Sequence, residues 1–438
     1  MTSDLATMFH DGPADSAAVA ALAAQGLQLR VVPNTRPVFD QWLQATARGF
    51  LDSERSEANI AAADEASGDR RLIGVYDPGT ELADQPVGTF ASWVTDLSVP
   101  GGQSVPAVAI SAVTAAPTHR RRGIARAMME GELRLAAAVG VPMAALTVSE
   151  STIYGRYGFA PAVDAAEWVL DTNRATWAGP IAPGRVDFIA RERARALLPG
   201  LHERIRLSRP GEISVPDRHW DRMTGQNPDA EKAGNTRAVA YRDAAGEVTG
   251  VALYTAKENL DDFTKSPARI TTLVAANPEA YAGLWRFFVE LPLIGTVRAG
   301  ELSVDEPLAW MISDRRAATV TIRDHHYLRI LDVPAALSAR RYAGAGTLVL
   351  DVTDPLGISG GRFVLVVAAD GTGAVTTGGD IPAGAPVVAL GTTELSAAYL
   401  GAVSLQTLAD AGRVHTTDAA AATRLLAWPV RPQLSFWY

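Results

Sequence analysis

Cysteine is absent from the 438-residue chain, and histidine is scarce. Without cysteine the protein forms no disulfide, offers no thiolate to a metal and uses no cysteine nucleophile. The seven histidines are scattered and show no metal-ligand spacing, so we expect no metal. His325 and His326 are adjacent, so their side chains would diverge on a helix or a strand. We interpret them as surface residues or as partners in local hydrogen bonds.

Long apolar runs and an excess of positive charge are also missing. No apolar run reaches the roughly 18 residues of a membrane-spanning helix. Asp4, Asp11 and Asp15 stand where a secretion signal would need positive charge. The formal net charge is −8, which disfavours a polyanionic nucleic-acid partner. We expect a soluble, cytoplasmic protein without an integral membrane segment, in which roughly the first 25 residues are disordered or weakly structured.

The length predicts two or three domains, and the pattern of strand, turn and helix signals divides the chain into three blocks, residues 1–172, 173–322 and 323–438. The second block contains a hairpin signal with its turn at residues 244–246. In the third block, LRILDVPAALSARRY (residues 328–342) predicts a helix, and a turn is expected at Asp370 and Gly371. The stretch ELSAAYLGAVSLQTLADAG (residues 394–412) predicts a helix that ends at Gly412.

The most informative stretch is VTAAPTHRRRGIARAMM, residues 113–129. An apolar strand meets a proline, three arginines and a glycine, and an amphipathic helix begins at Ile124. A helix N-terminus binds anions through its free N–H groups and dipole. Gly123 lets the backbone approach a ligand closely, and arginine pairs with phosphate through two hydrogen bonds. This turn is therefore predicted to bind a pyrophosphate; the alternative is a solvated basic helix start.

A second stretch, TLVAANPEAYAGLWRFFVEL (residues 272–291), repeats the order of strand, two alanines, proline, glycine and apolar helix. It has no arginine before Gly283. We interpret it as a degenerate internal repeat that has lost its charged turn, with chance similarity of two strand–turn–helix units as the alternative.

The pattern Arg120-x-x-Gly123-x-Ala125 after a strand resembles the coenzyme A motif of GNAT acetyltransferases, and Tyr154 with Gly158 and Phe159 resembles a further motif of that family. The longer string VTAAPTHRRRGIARAMM…AALTVSESTIYGRYGF resembles the Eis (enhanced intracellular survival) family of actinobacterial N-acetyltransferases. This resemblance covers nearly the whole chain. It implies an α+β fold with an active GNAT domain, a degenerate second GNAT-like domain and a sterol-carrier-protein-2-like domain, assembled as a homo-hexamer.

The same resemblance implies a binding site for acetyl-CoA as co-substrate. In the family, the strand before the arginine turn bulges and splays from its neighbour and exposes backbone groups to pantetheine. The residues implied to bind acetyl-CoA are Val113, Thr114 and Ala115 for pantetheine, Arg121, Arg122, Gly123, Ile124, Ala125 and Arg126 for the pyrophosphate, and Ser149 and Glu150 at the border of the site.

Two residues are candidates for proton transfer. Tyr154 is expected to be the acid, because a tyrosine pKa near 10 lies above a thiol pKa of about 8.5 and the hydroxyl stays protonated. The alternative is a packing tyrosine, and Tyr157 is expected to be structural. For the base, the resemblance points to the terminal carboxylate on Tyr438. LSFWY is an unusual end for a disordered tail because its aromatic rings favour burial. A packed terminus without a catalytic role, or Glu150 as base, are the alternatives.

The acceptor implied by the resemblance is a cationic multi-amine small molecule of aminoglycoside type. An acidic stretch with Asp52, Glu54, Glu57, Asp64 and Glu65 is either a cation-binding site or a solvated charged helix, and Trp42 either lines the pocket or belongs to the core. Two other functions stay open. In the first, the acetyl acceptor is a lysine or the N-terminus of a protein. In the second, the last block binds lipid and the protein is a lipid carrier.

Overall fold

The computed structural model describes residues 2–65, 68–228 and 233–438. The chain forms two compact units. One contains Met1–Val163, His326–Val430 and Tyr438, and the other contains Asp164–His325 and Arg431–Trp437. The first unit thus combines most of the first and third predicted blocks, and the domain boundaries at residues 172 and 322 stay a prediction. Over the described ranges, no helix is long and apolar enough to cross a membrane.

The first part of the chain alternates helices and strands. In chain order its elements are α1 (Thr2–His10), α2 (Ser16–Ala23), β1 (Gln28–Val32), α3 (Val38–Gly49), α4 (Glu57–Glu65), β2 (Arg71–Tyr76), β3 (Gly88–Val99), β4 (Gln103–Ala115), α5 (Ile124–Ala138), β5 (Met143–Thr147), α6 (Ser151–Tyr154) and β6 (Ala160–Asp171). The middle part continues with β7 (Arg185–Ile189), α7 (Arg191–Arg206), α8 (Asp217–Met223), β8 (Thr236–Arg242), β9 (Val248–Ala256), β10 (Ser266–Ala275), α9 (Pro278–Val289), β11 (Ile294–Leu302) and β12 (Ala318–Ile330).

The last part forms a small sheet with short helices. Its elements are α10 (Val333–Ala339), β13 (Gly346–Thr353), β14 (Gly361–Val367), β15 (Gly373–Thr377), β16 (Val387–Gly391), α11 (Thr392–Ala398), α12 (Leu405–Asp410), β17 (His415–Thr416) and α13 (Ala419–Leu426). The sheet order is β15-β14-β13-β16-β17. Its strands bury Leu348, Leu350 and Leu365, and α11 buries Leu395, so apolar side chains of the sheet and a helix form the core of this region.

Two predicted helices of the last part differ from the structure. Residues 328–330 end β12, because they pair with β5, and the helix begins only after the Asp332 side chain accepts a hydrogen bond from the Ala335 N–H at 2.9 Å. The long helix predicted up to Gly412 is divided into α11 and α12, with Gly401 at φ +84° between them. The predicted turn at Asp370 and Gly371 is confirmed, since it joins β14 to β15.

In the first unit, the main sheet has the order β1-β2-β3-β4-β5-β12. The pair β4 and β5 is parallel, and the other neighbours are antiparallel. The helices α1, α2 and α5 cover the sheet, and their side chains Phe9, Leu22 and Met128 join Phe90 and Ile110 in one buried apolar cluster. This packing fixes α5 against the strand that precedes it.

In the second unit, the sheet has the order β7-β8-β9-β10-β11-β6. Here β10 and β11 are the parallel pair, and the predicted hairpin of β8 and β9 is confirmed. Strand order and direction therefore match those of the first unit, with β4–α5 equivalent to β10–α9. The sixth strand is exchanged in sequence: β12 follows β11 but pairs with β5, and β6 follows β5 but pairs with β11. The predicted internal repeat is visible in this order.

The expectation of a disordered N-terminus is wrong. Residues 2–10 and 16–23 are the helices α1 and α2, and Phe9 and Leu22 are buried. The buried Arg71 explains this order, because its guanidinium donates to the main-chain oxygens of His10 and Pro13 at 3.0 Å each and pairs with buried Glu132 at 2.9 Å. These contacts join residues about sixty positions apart, so local sequence patterns did not indicate them.

Candidate active site

The site is built around the end of the pairing between β4 and β5. The parallel ladder runs from Ala107 beside Met143 to Ile110 beside Leu146, whereas β4 continues to Ala115. Ala112 has φ +52°, and the register between β4 and β3 shifts at the same level. Such an irregularity bends a strand. The two strands therefore part after Ile110, as the coenzyme A resemblance implies.

Three of the predicted residues lie on the separated end of β4. Thr114 is buried and its hydroxyl is 2.7 Å from the hydroxyl of Thr89, while Val113 and Ala115 are half-buried. Backbone groups on a strand that has left its neighbour can pair with an extended ligand. This end of β4 is thus suited to the amides of a pantetheine arm.

The chain then enters a tight turn before α5. A single 3-10 turn covers Pro117–His119, Arg121 has φ +61° and Gly123 has φ +75°. Gly123 is the N-cap of α5 and has no side chain with which to cap it. A Cβ built on Gly123 would find no heavy atom within 4 Å. The space beside Gly123 is therefore open, and the amides of Ile124, Ala125 and Arg126 follow it in a helix start without a side-chain cap, an arrangement that binds anions.

The predicted arginines have different surroundings. Arg121 is exposed, as is Arg120 before it. The guanidinium of Arg122 donates to the Asp77 carboxylate at 3.3 Å and to the Gln25 main-chain oxygen at 2.9 Å. The side chain of Arg126 pairs with Glu130 at 2.7 Å. Two of the predicted phosphate ligands, Arg122 and Arg126, therefore form ion pairs within the protein.

The equivalent turn of the second unit has a different chemistry. The Asn277 side chain accepts a hydrogen bond from the Ala280 N–H at 2.8 Å and caps α9, while Pro278 occupies the first helical turn. Glu279 adds a negative charge there. In the same turn, the Tyr281 hydroxyl donates to the buried carboxylate of Glu306. A helix start that is capped and acidic does not favour a phosphate, so this turn lacks both the arginines and an uncapped helix start.

Tyr154 ends the short helix α6 beyond β5 and is buried. Burial raises the pKa of its hydroxyl above the ordinary value near 10, and a hydrogen bond with Ser149 opposes this rise. The hydroxyl is therefore protonated at neutral pH. Tyr157 is also buried, and burial raises its pKa. Ser149 and Glu150, which connect β5 to α6, are exposed, as residues at the border of a ligand site would be.

The C-terminal residue lies on β5 and β12. The hydroxyl of Thr147, the last residue of β5, donates to the main-chain oxygen of Tyr438 at 2.6 Å. The Tyr438 hydroxyl is 2.8 Å from His326 Nε2, and its ring meets Trp93 edge-on at 5.5 Å between centroids. Tyr438 is 7% exposed and Phe436 is 3% exposed, as predicted for the aromatic end, whereas Trp437 between them is 37% exposed. The chain end is thus fixed beside the strand that leads to Tyr154.

The interpretation of His325 and His326 as surface or local residues is wrong. Both side chains are fully buried. His325 Nε2–H donates to the Phe436 main-chain oxygen at 3.1 Å, and burial lowers the pKa of His325 to about 4. His326 contacts Tyr438. The partners lie more than a hundred residues away. The sequence did indicate that the two side chains point to opposite faces of a strand. It gave no signal that both faces are buried.

The acidic stretch before β2 is partly neutralised. Asp52 pairs with Arg55 at 2.7 Å, and Glu57 pairs with Arg36 at 2.6 Å. For these two residues the structure favours a solvated charged segment over a cation site. Glu54 is exposed and Asp64 is half-buried, and the side chain of Glu65 lies outside the described part.

Trp42 belongs to the core: it is 3% exposed and its Nε1–H donates to the Ile73 main-chain oxygen at 2.8 Å. Across the part of the chain that the structure describes, no group of three or more histidine, aspartate or glutamate side chains could hold a metal ion.

Comparison with protein families gives three matches along the chain. Residues 32–162 and 211–330 each match a model of an acetyltransferase (GNAT) domain, and residues 333–435 match a sterol carrier protein domain. The predicted α+β architecture of two GNAT-type domains followed by an SCP2-like domain is therefore confirmed.

Relatives match over most of the chain. A Streptomyces avermitilis protein described as an uncharacterized N-acetyltransferase is 39% identical over 404 residues, which span 89% of this chain and 94% of the relative. The N-acetyltransferase Eis of Mycobacterium tuberculosis is 34% identical over 361 residues, 80% of this chain and 83% of the relative. The crystal structure of Eis1 from Mycobacterium abscessus superposes with a TM-score of 0.79 at 26% identity, covering 94% of this chain and all of that one.

Proposed function

The chain belongs to the Eis family of GNAT N-acetyltransferases, and from this premise we propose that it transfers acetyl groups directly from acetyl-CoA to amines of a cationic multi-amine small molecule of aminoglycoside type. Tyr154 acts as the acid and the terminal carboxylate of Tyr438 as the base. The observation that carries the proposal is the position of Tyr438, hydrogen-bonded to Thr147 at the end of the strand that leads to Tyr154.

Acetyl-CoA binding is assigned to the separated end of β4 and the turn before α5. The pantetheine arm pairs with the backbone of Val113, Thr114 and Ala115. The pyrophosphate meets the amides at residues 123–126 and the charge of Arg121, while Ser149 and Glu150 border the thioester end. The parted strands and the uncapped helix start support this placement.

The reaction follows from these positions. The carboxylate of Tyr438 takes a proton from the substrate ammonium, and the neutral amine attacks the thioester carbonyl carbon. A C–N bond forms, the C–S bond breaks, and the Tyr154 hydroxyl gives its proton to the departing thiolate. The proton released by the attacking nitrogen returns to the Tyr154 oxygen, so that a neutral amide and a coenzyme A thiol are formed. Because burial raises the pKa of Tyr154, the hydroxyl keeps its proton until negative charge develops on the sulfur. A thiol pKa of about 8.5 lies below that of a tyrosine, so the proton passes to the sulfur as the proton of the attacking nitrogen replaces it.

The acceptor class rests on the family resemblance and on the net charge of −8, which favours cations in general. Glu54 and Asp64 are the remaining acidic candidates of the stretch before β2. By the same resemblance we propose a homo-hexamer that works in the cytoplasm. The competing acceptor, a lysine or N-terminus of a protein, uses the same acetyl-CoA residues and differs only at the acceptor cleft.

The proposed acceptor is tested by steady-state release of coenzyme A across a panel of aminoglycosides, linear polyamines and lysine peptides. We expect the highest kcat/KM with an aminoglycoside, because several amines of one cation can reach the site in turn. Turnover confined to the lysine peptide would contradict the small-molecule acceptor and leave the acetyl-CoA site unaffected.

Tyr154→Phe tests the acid. The ring and its packing against Phe159 and Tyr327 remain, while the proton is lost. We expect kcat to fall about 100-fold, within the range for general acids, and the acetyl-CoA Kd to stay within about twofold. Tyr157→Phe is the matched control and should keep most of the activity. Full activity of Tyr154→Phe would move the acid role to another group.

A short extension after Tyr438 tests the base, because it converts the carboxylate into a neutral amide. We expect kcat to fall about 100-fold, as for loss of a general base. Tyr438→Phe keeps the carboxylate and should cost mainly the hydrogen bond to His326, about 1 kcal/mol of stability, read as a lower Tm. A C-terminally tagged enzyme that works at the rate of the same preparation after tag removal would return the base role to Glu150.

A further inference from the structure

The turn that carries the arginines is held in an unfavourable backbone conformation. Arg121 has φ +61°, a region that costs a non-glycine residue about 1 kcal/mol or more. Gly123 at φ +75° follows, and it supplies no capping side chain. Contacts from elsewhere must therefore hold the turn in the form that presents the amides of α5.

One side of the turn is held by Asp77, the residue after β2. Its carboxylate accepts hydrogen bonds from His119 Nε2 at 3.0 Å and from Arg122 Nη1 at 3.3 Å. The Gly79 N–H donates to it at 2.9 Å. The bond from Gly79, followed by the contact with His119, lowers the pKa of Asp77, so the carboxylate is ionised at neutral pH. His119 is 7% exposed, and its Nδ1 is 2.8 Å from the Thr118 hydroxyl.

The other side is held by Gln25, just after α2. Its side-chain amide donates to the Arg122 main-chain oxygen at 3.1 Å, and the Arg122 guanidinium donates to the Gln25 main-chain oxygen at 2.9 Å. Both the backbone and the side chain of Arg122 are thus engaged. The neighbouring Arg121 is exposed, and its side chain remains oriented to solvent. The consecutive arginines therefore have unequal roles.

We propose that Asp77, through His119 and Arg122, is a positioning residue for the acetyl-CoA pyrophosphate. The hydrogen bonds of Asp77 with His119 and Arg122 form what we call the brace, and the Arg122 guanidinium belongs to this brace and is not a phosphate ligand. The proposal rests on the assignment of the pyrophosphate to the turn before α5. It assigns the charge that meets the phosphates to Arg121 and the helix amides.

The brace and simple electrostatics predict opposite effects for the loss of Asp77. A carboxylate close to a bound pyrophosphate repels it, so removing that charge without moving the turn would strengthen binding. If the carboxylate holds the turn, its removal lets residues 119–122 relax, and the helix amides lose their fixed alignment. Binding would then weaken in spite of the more positive charge.

The test is calorimetric measurement of the acetyl-CoA Kd for Asp77→Ala. We expect Kd to rise about tenfold, equivalent to about 1.4 kcal/mol, while kcat at saturating acetyl-CoA stays within about twofold. Asp84→Ala is the matched control. It removes the same charge from an exposed position seven residues further on, and should leave Kd unchanged or slightly lower. An unchanged or lower Kd for Asp77→Ala overturns the brace.

A double-mutant cycle keeps the proposal testable if Asp77→Ala folds poorly. Asp77→Asn keeps the size of the side chain, and Arg122→Gln removes the charge of the second partner. Because both act through one brace, the double variant should bind acetyl-CoA no more weakly than the weaker single variant. Effects that multiply would show that Arg122 contacts the ligand independently, which overturns its assignment.

Gly123→Val separates this inference from its premise. Valine is strained at φ +75° and would fill the open space beside residue 123, at the N-cap of α5. If Gly123→Val weakens binding while Asp77→Ala does not, the turn is the site and the brace alone is wrong. If Gly123→Val also binds acetyl-CoA normally, the pyrophosphate lies elsewhere, and both the premise and the brace are overturned.

Discussion

The parting of β4 from β5 after Ile110 is the constraint on which the rest of the site depends. While the strands are paired, their backbone groups satisfy each other. Beyond that point β4 carries its free edge toward the arginine turn and α5, and β5 ends at Thr147, which holds Tyr438. The free edge of β4, the start of α5 and the chain end thus all lie in the first unit.

The two units share one topology but differ at the helix start to which we assign acetyl-CoA binding. Both units have the same strand order and one parallel pair. They differ in the helix start: Gly123 leaves α5 uncapped, whereas Asn277 caps α9 and Glu279 adds negative charge. We therefore expect changes at a few positions to be enough to remove anion binding, while each unit keeps its apolar core.

Local patterns predicted the parts of the structure that depend on neighbouring residues. The strand, turn and helix at residues 113–129, the hairpin of β8 and β9 and the internal repeat all follow from short spacings in the sequence. Burial of Phe436 and Tyr438 was also predictable from the aromatic composition of the chain end, whereas the exposure of Trp437 was not. The resemblance to the Eis family supplied the order of the domains, which spacing alone did not give.

Contacts between distant residues were not predictable in this way. Arg71 pairs with the Glu132 carboxylate 61 positions away and donates to main-chain oxygens at the junction of the N-terminal helices, and His326 contacts a residue 112 positions away. The arginines looked equivalent in sequence, and only the positions of Asp77 and Gln25 distinguish Arg122 from Arg121. Each of these pairs is brought together by sheet topology, for which a single sequence holds no local signal.

We infer that the uncapped turn before α5 forms an acetyl-CoA site and that its equivalent before α9 does not. The most direct measurement is the stoichiometry of acetyl-CoA binding to the full-length protein by isothermal titration calorimetry, with the active protein concentration determined independently. We expect one bound acetyl-CoA per chain. Two equivalents per chain would contradict it, because the capped, acidic start of α9 would then also bind the pyrophosphate.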